Sequence, residues 1–130
     1  MINKKPYLYK LDISWCSLNS FHMSKIAKAL RKTPNNIWDL NISYNSLNFN
    51  DKKVLIVEKS FGPDDAVMNS FKFLQTFVEY LFKADDLIHL DICGLTFGDD
   101  QYSKLIPVIE QSKILSLHID KNASINFKQP

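Results

Sequence analysis

The stretch IWDLNISYNSLNF, residues 37–49, places apolar side chains at Ile37, Leu40, Ile42 and Leu47, with Asn45 between the last two. Leu40 and Ile42 alternate with polar residues, the pattern of a short strand with one buried face. The same offsets recur three times. LYKLDISWCSL supplies Leu8, Leu11, Ile13, Cys16 and Leu18, and LIHLDICGLTF supplies Leu87, Leu90, Ile92, Leu95 and Phe97. ILSLHIDKNAS supplies Ile114, Leu117, Ile119 and Asn122, and ends on Ser124 where an apolar residue is due. The copies start at 8, 37, 87 and 114, so the intervals are 29, 50 and 27 residues.

Between the copies the apolar period changes from two to about four, which is the helical spacing. Ile26 and Leu30 follow Leu18 by eight and then four more residues, and Leu105 and Ile109 follow Phe97 in the same way. Before Leu87, Phe73, Phe77 and Leu81 hold this register, with Phe71, Leu74 and Val78 widening the apolar face and Lys72, Gln75, Glu79 and Lys83 on the wet side. Ser20 and Asp99 are candidate helix caps. Pro34 predicts a first helix ending near Thr33, and Pro107 is expected to shorten or kink the third helix.

The pattern L-x-x-L-x-L-x-x-N/C-x-L resembles the leucine-rich repeat family, and the 27- and 29-residue intervals are similar to its ribonuclease-inhibitor-like class. The resemblance implies an α/β fold: a short curved solenoid with parallel strands on the concave side and helices on the convex side. Residues 1–130 then form one domain, with repeats at about 8–36, 37–86, 87–113 and an incomplete 114–130. No such unit buries its own apolar stripe, so stacking is what creates the core. Cys16, Asn45 and Asn122 are expected to satisfy backbone groups in the turns, and Leu95 is expected to break that ladder.

The 50-residue interval carries an excess near 49–66, within NFNDKKVLIVEKSFGPDDAV. It reads either as a degenerate extra repeat, with KKVLIVEKSF as an imperfect strand, or as a loop inserted into one repeat.

The totals narrow the function classes. A net charge of +2, from fifteen lysines and the single Arg31 against 14 acidic residues, argues against a nucleic-acid reader, which favours arginine. No apolar run reaches the roughly 18–20 residues of a membrane span. Two cysteines make no metal cage, and a disulfide between Cys16 and Cys93 is not expected on distance. MINKKPYLYK has no apolar signal-like run, so a cytosolic setting, with cytoskeletal association as one form of it, is the expectation.

Candidate site residues come from the positions between the apolar ones. They form three columns: Lys10, Asp39, His89 and Ser116; Asp12, Asn41, Asp91 and His118; Ser14, Ser43, Cys93 and Asp120. Trp15 and Tyr44 stand just past their strands. The candidate partner-binding face is therefore Lys10, Asp12, Trp15, Asp39, Asn41, Tyr44, His89, Asp91, His118 and Asp120, polar residues beside aromatic anchors. His89, Asp91, His118 and Asp120 lie on adjacent strands, but side chains on a ladder project in parallel, so a solvated surface is expected in place of a metal site. Cys93 lacks an elbow or oxyanion hole to act as a nucleophile, and no phosphate-binding loop, H-E-x-x-H or C-x-x-C is present. The resemblance implies a non-catalytic protein–protein interaction or scaffold module. It has no cofactor, its partners are other proteins, and its apolar ends lie against neighbouring subunits or further repeats. Two alternatives are a GTPase-activating leucine-rich repeat protein, with Arg31 as the one arginine, and a substrate-recognition adaptor of a ubiquitin ligase.

Overall fold

The computed structural model describes residues 9–32, 36–49 and 65–119. Strand and helix alternate along it: β1 (Lys10–Asp12), α1 (Ser20–Lys32), β2 (Asp39–Asn41), α2 (Ala66–Lys83), β3 (His89–Asp91), α3 (Asp99–Glu110) and β4 (Ser116–His118). The four strands form one parallel sheet in the order β1-β2-β3-β4. The segment 50–64, which contains most of the excess described above, lies outside the described residues, as do Leu8, Asp120, Asn122 and Ser124.

Strand pairing follows the sequence offsets. Leu11 faces Leu40, Leu40 faces Leu90, and Leu90 faces Leu117, with one polar residue paired on either side of each. Each strand has three residues. The parallel ladder nevertheless continues past it, through Ile13 N to Asn41 O at 2.9 Å, Trp15 N to Ser43 O at 3.1 Å and Tyr44 N to Cys93 O at 2.9 Å.

The helices cover one face of the sheet. Leu40, Ile42, Leu90 and Ile92 are almost completely buried against Met23, Ala27, Phe73, Phe77, Leu81, Leu105 and Ile109. α1 packs along α2, and α2 along α3. Burial is deepest in the middle, whereas Leu11, Ile13, Leu117 and Ile119 on the outer strands are half-buried. Among the described residues, the leucine rows at the ends of the sheet meet a neighbouring strand on one side only.

The helix starts differ from the sequence expectation by one residue. Asn19, not Ser20, caps α1: its Oδ1 accepts from His22 N at 3.0 Å. An amide side chain one position earlier reaches the free N–H groups of the first turn, while Ser20 is already helical and buried. In α3 the cap position is Gly98, and Gln101 Oε1 returns to accept from Gly98 N at 2.7 Å. α2 is capped by Asp65 Oδ1, which accepts from Met68 N at 3.0 Å. α3 runs through Pro107 to Glu110; the proline sits on its exposed side, close to the C-terminus.

The turn after each strand is where neighbouring units are tied. Asn45 is 5% exposed, and its carboxamide works in both directions. Oδ1 accepts from Cys16 N at 3.2 Å and Leu18 N at 3.0 Å. Nδ2 donates to Ile13 O at 2.9 Å, Ile42 O at 3.2 Å and Ser43 O at 3.4 Å. Cys16, the equivalent residue of the first turn, is exposed. At the third turn Leu95 is fully buried and makes no such bridge; there Thr96 Oγ1 donates to Leu47 O at 3.2 Å.

Asn45→Ala strands two amides and the Ile13 and Ile42 carbonyls in a part-buried turn, and is expected to destabilise the protein by about 2–4 kcal/mol. Asn45→Asp keeps the acceptor but points a carboxylate oxygen at those carbonyls, so it should cost a similar amount. Denaturant unfolding of the two variants checks both, and a loss below about 1 kcal/mol for either is the contrary result.

Candidate functional site

On the face of the sheet away from the helices, the polar residues stand in the expected columns. Lys10 pairs with Asp39 and Asp39 with His89, which pairs with Ser116; beside them run Asp12, Asn41, Asp91 and His118. Lys10 Nζ lies 3.6 Å from Asp39 Oδ2, and His89 Nε2 lies 3.9 Å from Asp39 Oδ1. His89 Nδ1 meets Ser116 Oγ at 2.8 Å. Of the ten candidate residues, nine are on this face or at its edge, and Asp120 lies outside the described residues.

Asp91 is the best-connected carboxylate among the described residues. Ser43 Oγ and Cys93 N both donate to its Oδ1, the latter at 3.3 Å, and His118 Nδ1 lies 3.3 Å from its Oδ2. Partial burial pushes the Asp91 carboxyl up, but the bonds from Ser43, Cys93 and His118 together outweigh burial and hold it below the ordinary value of 3.8. Asp12 is also held low, first by the Ser14 hydroxyl and then by the Ser14 backbone N–H. Both carboxylates are therefore anionic at neutral pH.

The His89 and His118 rings meet edge to face with centroids 4.9 Å apart. The parallel projection expected of ladder side chains does not hold here, because His118 leans across to Asp91 on the neighbouring strand. One donor atom from each of His89, Asp91 and His118 falls within 4.8 Å of the other two. Cys93, half-buried beside them, and exposed Cys16 are both thiols.

Aromatic residues border the polar columns. Trp15 and Tyr44 stack with ring centroids 4.2 Å apart and planes 13° from parallel. They are 70% and 43% exposed. Both have left-handed backbone, φ 55° and 56°, and Gly94, which continues their row on the third strand, has φ 69°. That conformation costs a bulky L-residue roughly 1–2 kcal/mol, whereas glycine adopts it freely. A Cβ at Gly94 would fall 2.2 Å from Tyr44 Cδ1, so the glycine also gives the tyrosine ring its seat. Trp15, Tyr44 and the Gly94 backbone thus form a short continuous stack along one edge.

A second row, which the alternation of polar and apolar positions does not mark, lies one residue before each strand. Tyr9, Trp38, Ile88 and Leu115 precede the four strands at equal offsets, and the ladder joins them: Trp38 N donates to Tyr9 O at 2.8 Å, Ile88 N to Trp38 O at 2.9 Å and Leu115 N to Ile88 O at 2.8 Å. Trp38 is 43% exposed and Leu115 is 83% exposed. Lys10 Nζ lies 5.9 Å from the Trp38 ring centre, which places the indole beside the polar columns. The signal was present in the alignment of the four copies, as the residue after each first apolar position.

The face is thus a strip of charged and hydrogen-bonding groups between two rows that carry exposed aromatic and apolar side chains. The chain matches no family model, no curated protein and no solved structure. Among the described residues, no helix is long and apolar enough to cross a membrane.

Two outcomes follow for this face. Gly94→Ala adds a methyl where Tyr44 lies and holds a left-handed φ, so it should cost about 2 kcal/mol and displace the ring from Trp15, read as a change in indole fluorescence. Unchanged stability and emission would contradict the seat described here. The second outcome concerns pH. Because the folded carboxyl of Asp91 is held below its unfolded value, its contribution to stability is present above about pH 4 and is lost as pH falls through the folded value. The stability gap between the protein and Asp91→Asn should therefore shrink on acidification below about pH 4, while a gap constant with pH would contradict it.

Proposed function

We propose that this chain is a short leucine-rich repeat solenoid of the ribonuclease-inhibitor-like class, acting without catalysis as a protein-binding module. The strand register supports the repeat reading, since its offsets are those of the apolar pattern. So does Asn45, which bridges two successive turns from the ninth position of its copy. On this reading the polar face is the concave one, and the partner is another folded protein. The two cysteines, neither in a disulfide, suit a reducing compartment, so the proposed setting is cytosolic.

The observation that carries the reading is the pair of exposed aromatic borders, with Trp15 stacked on Tyr44 and Trp38 beside Lys10. Tryptophan and tyrosine are over-represented among residues that dominate binding energy. A stacked, backbone-fixed pair has also lost much of its conformational freedom before a partner arrives, which lowers the cost of association. Asp12, Asp39 and Asp91 give the strip between them a negative bias for recognising basic groups.

The test is a quantitative native pull-down from the source cells using the full chain and its Trp15→Ala, Tyr44→Ala, Trp38→Ala and Asp91→Asn variants. Phe82→Ala, at an exposed position on α2, reports on the helical side. Proteins specific to this surface should be retained by the parent and by Phe82→Ala, and depleted in the other four. For a purified partner, loss of a central aromatic should weaken affinity by about 2 kcal/mol, or roughly 30-fold. If the four face variants keep every partner, the reading fails; if Phe82→Ala loses them, binding belongs to the helices.

A further inference from the structure

We propose that His89, Asp91 and His118 form a binding site for a single divalent metal ion of the zinc type, open to solvent on the sheet face. Three features place it there. The three donor atoms already lie within 4.8 Å of one another, on neighbouring strands whose register is fixed by backbone pairing. Zinc bonds to nitrogen and oxygen of about 2.0–2.2 Å set donors roughly 3.4 Å apart in a tetrahedron, so the widest separation has to close by at most about 1.4 Å. The contact between His118 Nδ1 and Asp91 Oδ2, at 3.3 Å, needs no closing.

The second feature is the support behind the ligands. Ser43 Oγ and Cys93 N both hold Oδ1 of Asp91, leaving Oδ2 turned toward His118. The His89 ring is oriented through one nitrogen, Nδ1, which meets Ser116 Oγ at 2.8 Å. Hydrogen bonds of this kind orient metal ligands and raise their basicity. The third feature is the donor set itself. Two imidazoles and one carboxylate favour a borderline transition ion over calcium or magnesium, which take oxygen ligands. Three protein ligands leave at least one position for water or for an incoming donor group. His118 is exposed, so an ion can enter from solvent and take the place of the proton shared between His118 Nδ1 and Asp91 Oδ2. The inference stands independently of the protein-binding reading.

Metal binding displaces protons from its ligands, so affinity should fall on acidification. The test is a zinc titration of the full chain, stripped with chelator, followed by calorimetry and by the histidine ring signals in NMR. The protein has three histidines, so His22 on α1 serves as an internal control. The expected result is saturable one-to-one binding at pH 7.5, with the His89 and His118 signals moving together and His22 unmoved. Ser43→Ala should weaken binding by about tenfold, and His118→Ala by about a hundredfold or more. His118→Ala removes an exposed side chain, so the fold should survive it. Absence of saturable binding overturns the proposal. So does binding that moves His22 alone, or binding undiminished in the His89→Ala/His118→Ala double variant.

Discussion

The Asn45 carboxamide is the contact on which the geometry of this face depends. A chain that leaves a three-residue strand and turns at once toward a helix exposes backbone amides and carbonyls that no sheet or helix satisfies. Asn45 meets two of those amides and one carbonyl in the preceding turn, and two carbonyls of its own turn. It thereby ties the first turn to the second, adding a polar link to the register that the leucine rows set. The ladder continues through these turns, so Trp15, Tyr44 and Gly94 arrive in one row. The aromatic stack is a consequence of turn register as much as of attraction between rings.

Part of the cost of these turns is borne at the two aromatic residues, and part at Ser17 and Thr96, which are left-handed as well. Trp15 and Tyr44 both occupy left-handed backbone, a conformation that a chain selected for stability alone would give to glycine or asparagine. Gly94 shows the unstrained solution at the equivalent place. The neighbouring charges are organised as well: Asp39 lies between Lys10 and His89, and Asp91 is held by Ser43, Cys93 and His118. This face is ordered by its own side-chain contacts.

Much of this was legible in the sequence, for a physical reason. Leucine rows at Leu11, Leu40, Leu90 and Leu117 can share a core in one register only, because a shift by one residue turns each strand inside out. The polar columns followed directly from that register. The helix caps did not, since Asn19 and Ser20, or Gly98 and Asp99, are adjacent and the choice rests on one turn's dihedral angles. The row Tyr9, Trp38, Ile88 and Leu115 was overlooked because alternation draws attention to the polar residues between leucines. The approach of His118 to Asp91 depends on side-chain rotamers, which spacing along a strand does not encode. The segment near 49–66, open between a loop and an extra repeat in the sequence, falls largely outside the described residues.

The central claim is that successive turns are held in register so that an aromatic row is presented at the edge of a polar sheet face. The seat of Tyr44 on Gly94 reports on it most directly, through the α-proton signals of Gly94 in a two-dimensional NMR spectrum. With the ring over that backbone, both protons should show cross-relaxation to the Tyr44 ring, and at least one should be shifted upfield by its current. Tyr44→Ala should return them to ordinary glycine positions. Gly94 signals already at ordinary positions in the parent protein, with no transfer to the ring, would mean that the turns do not stack as described.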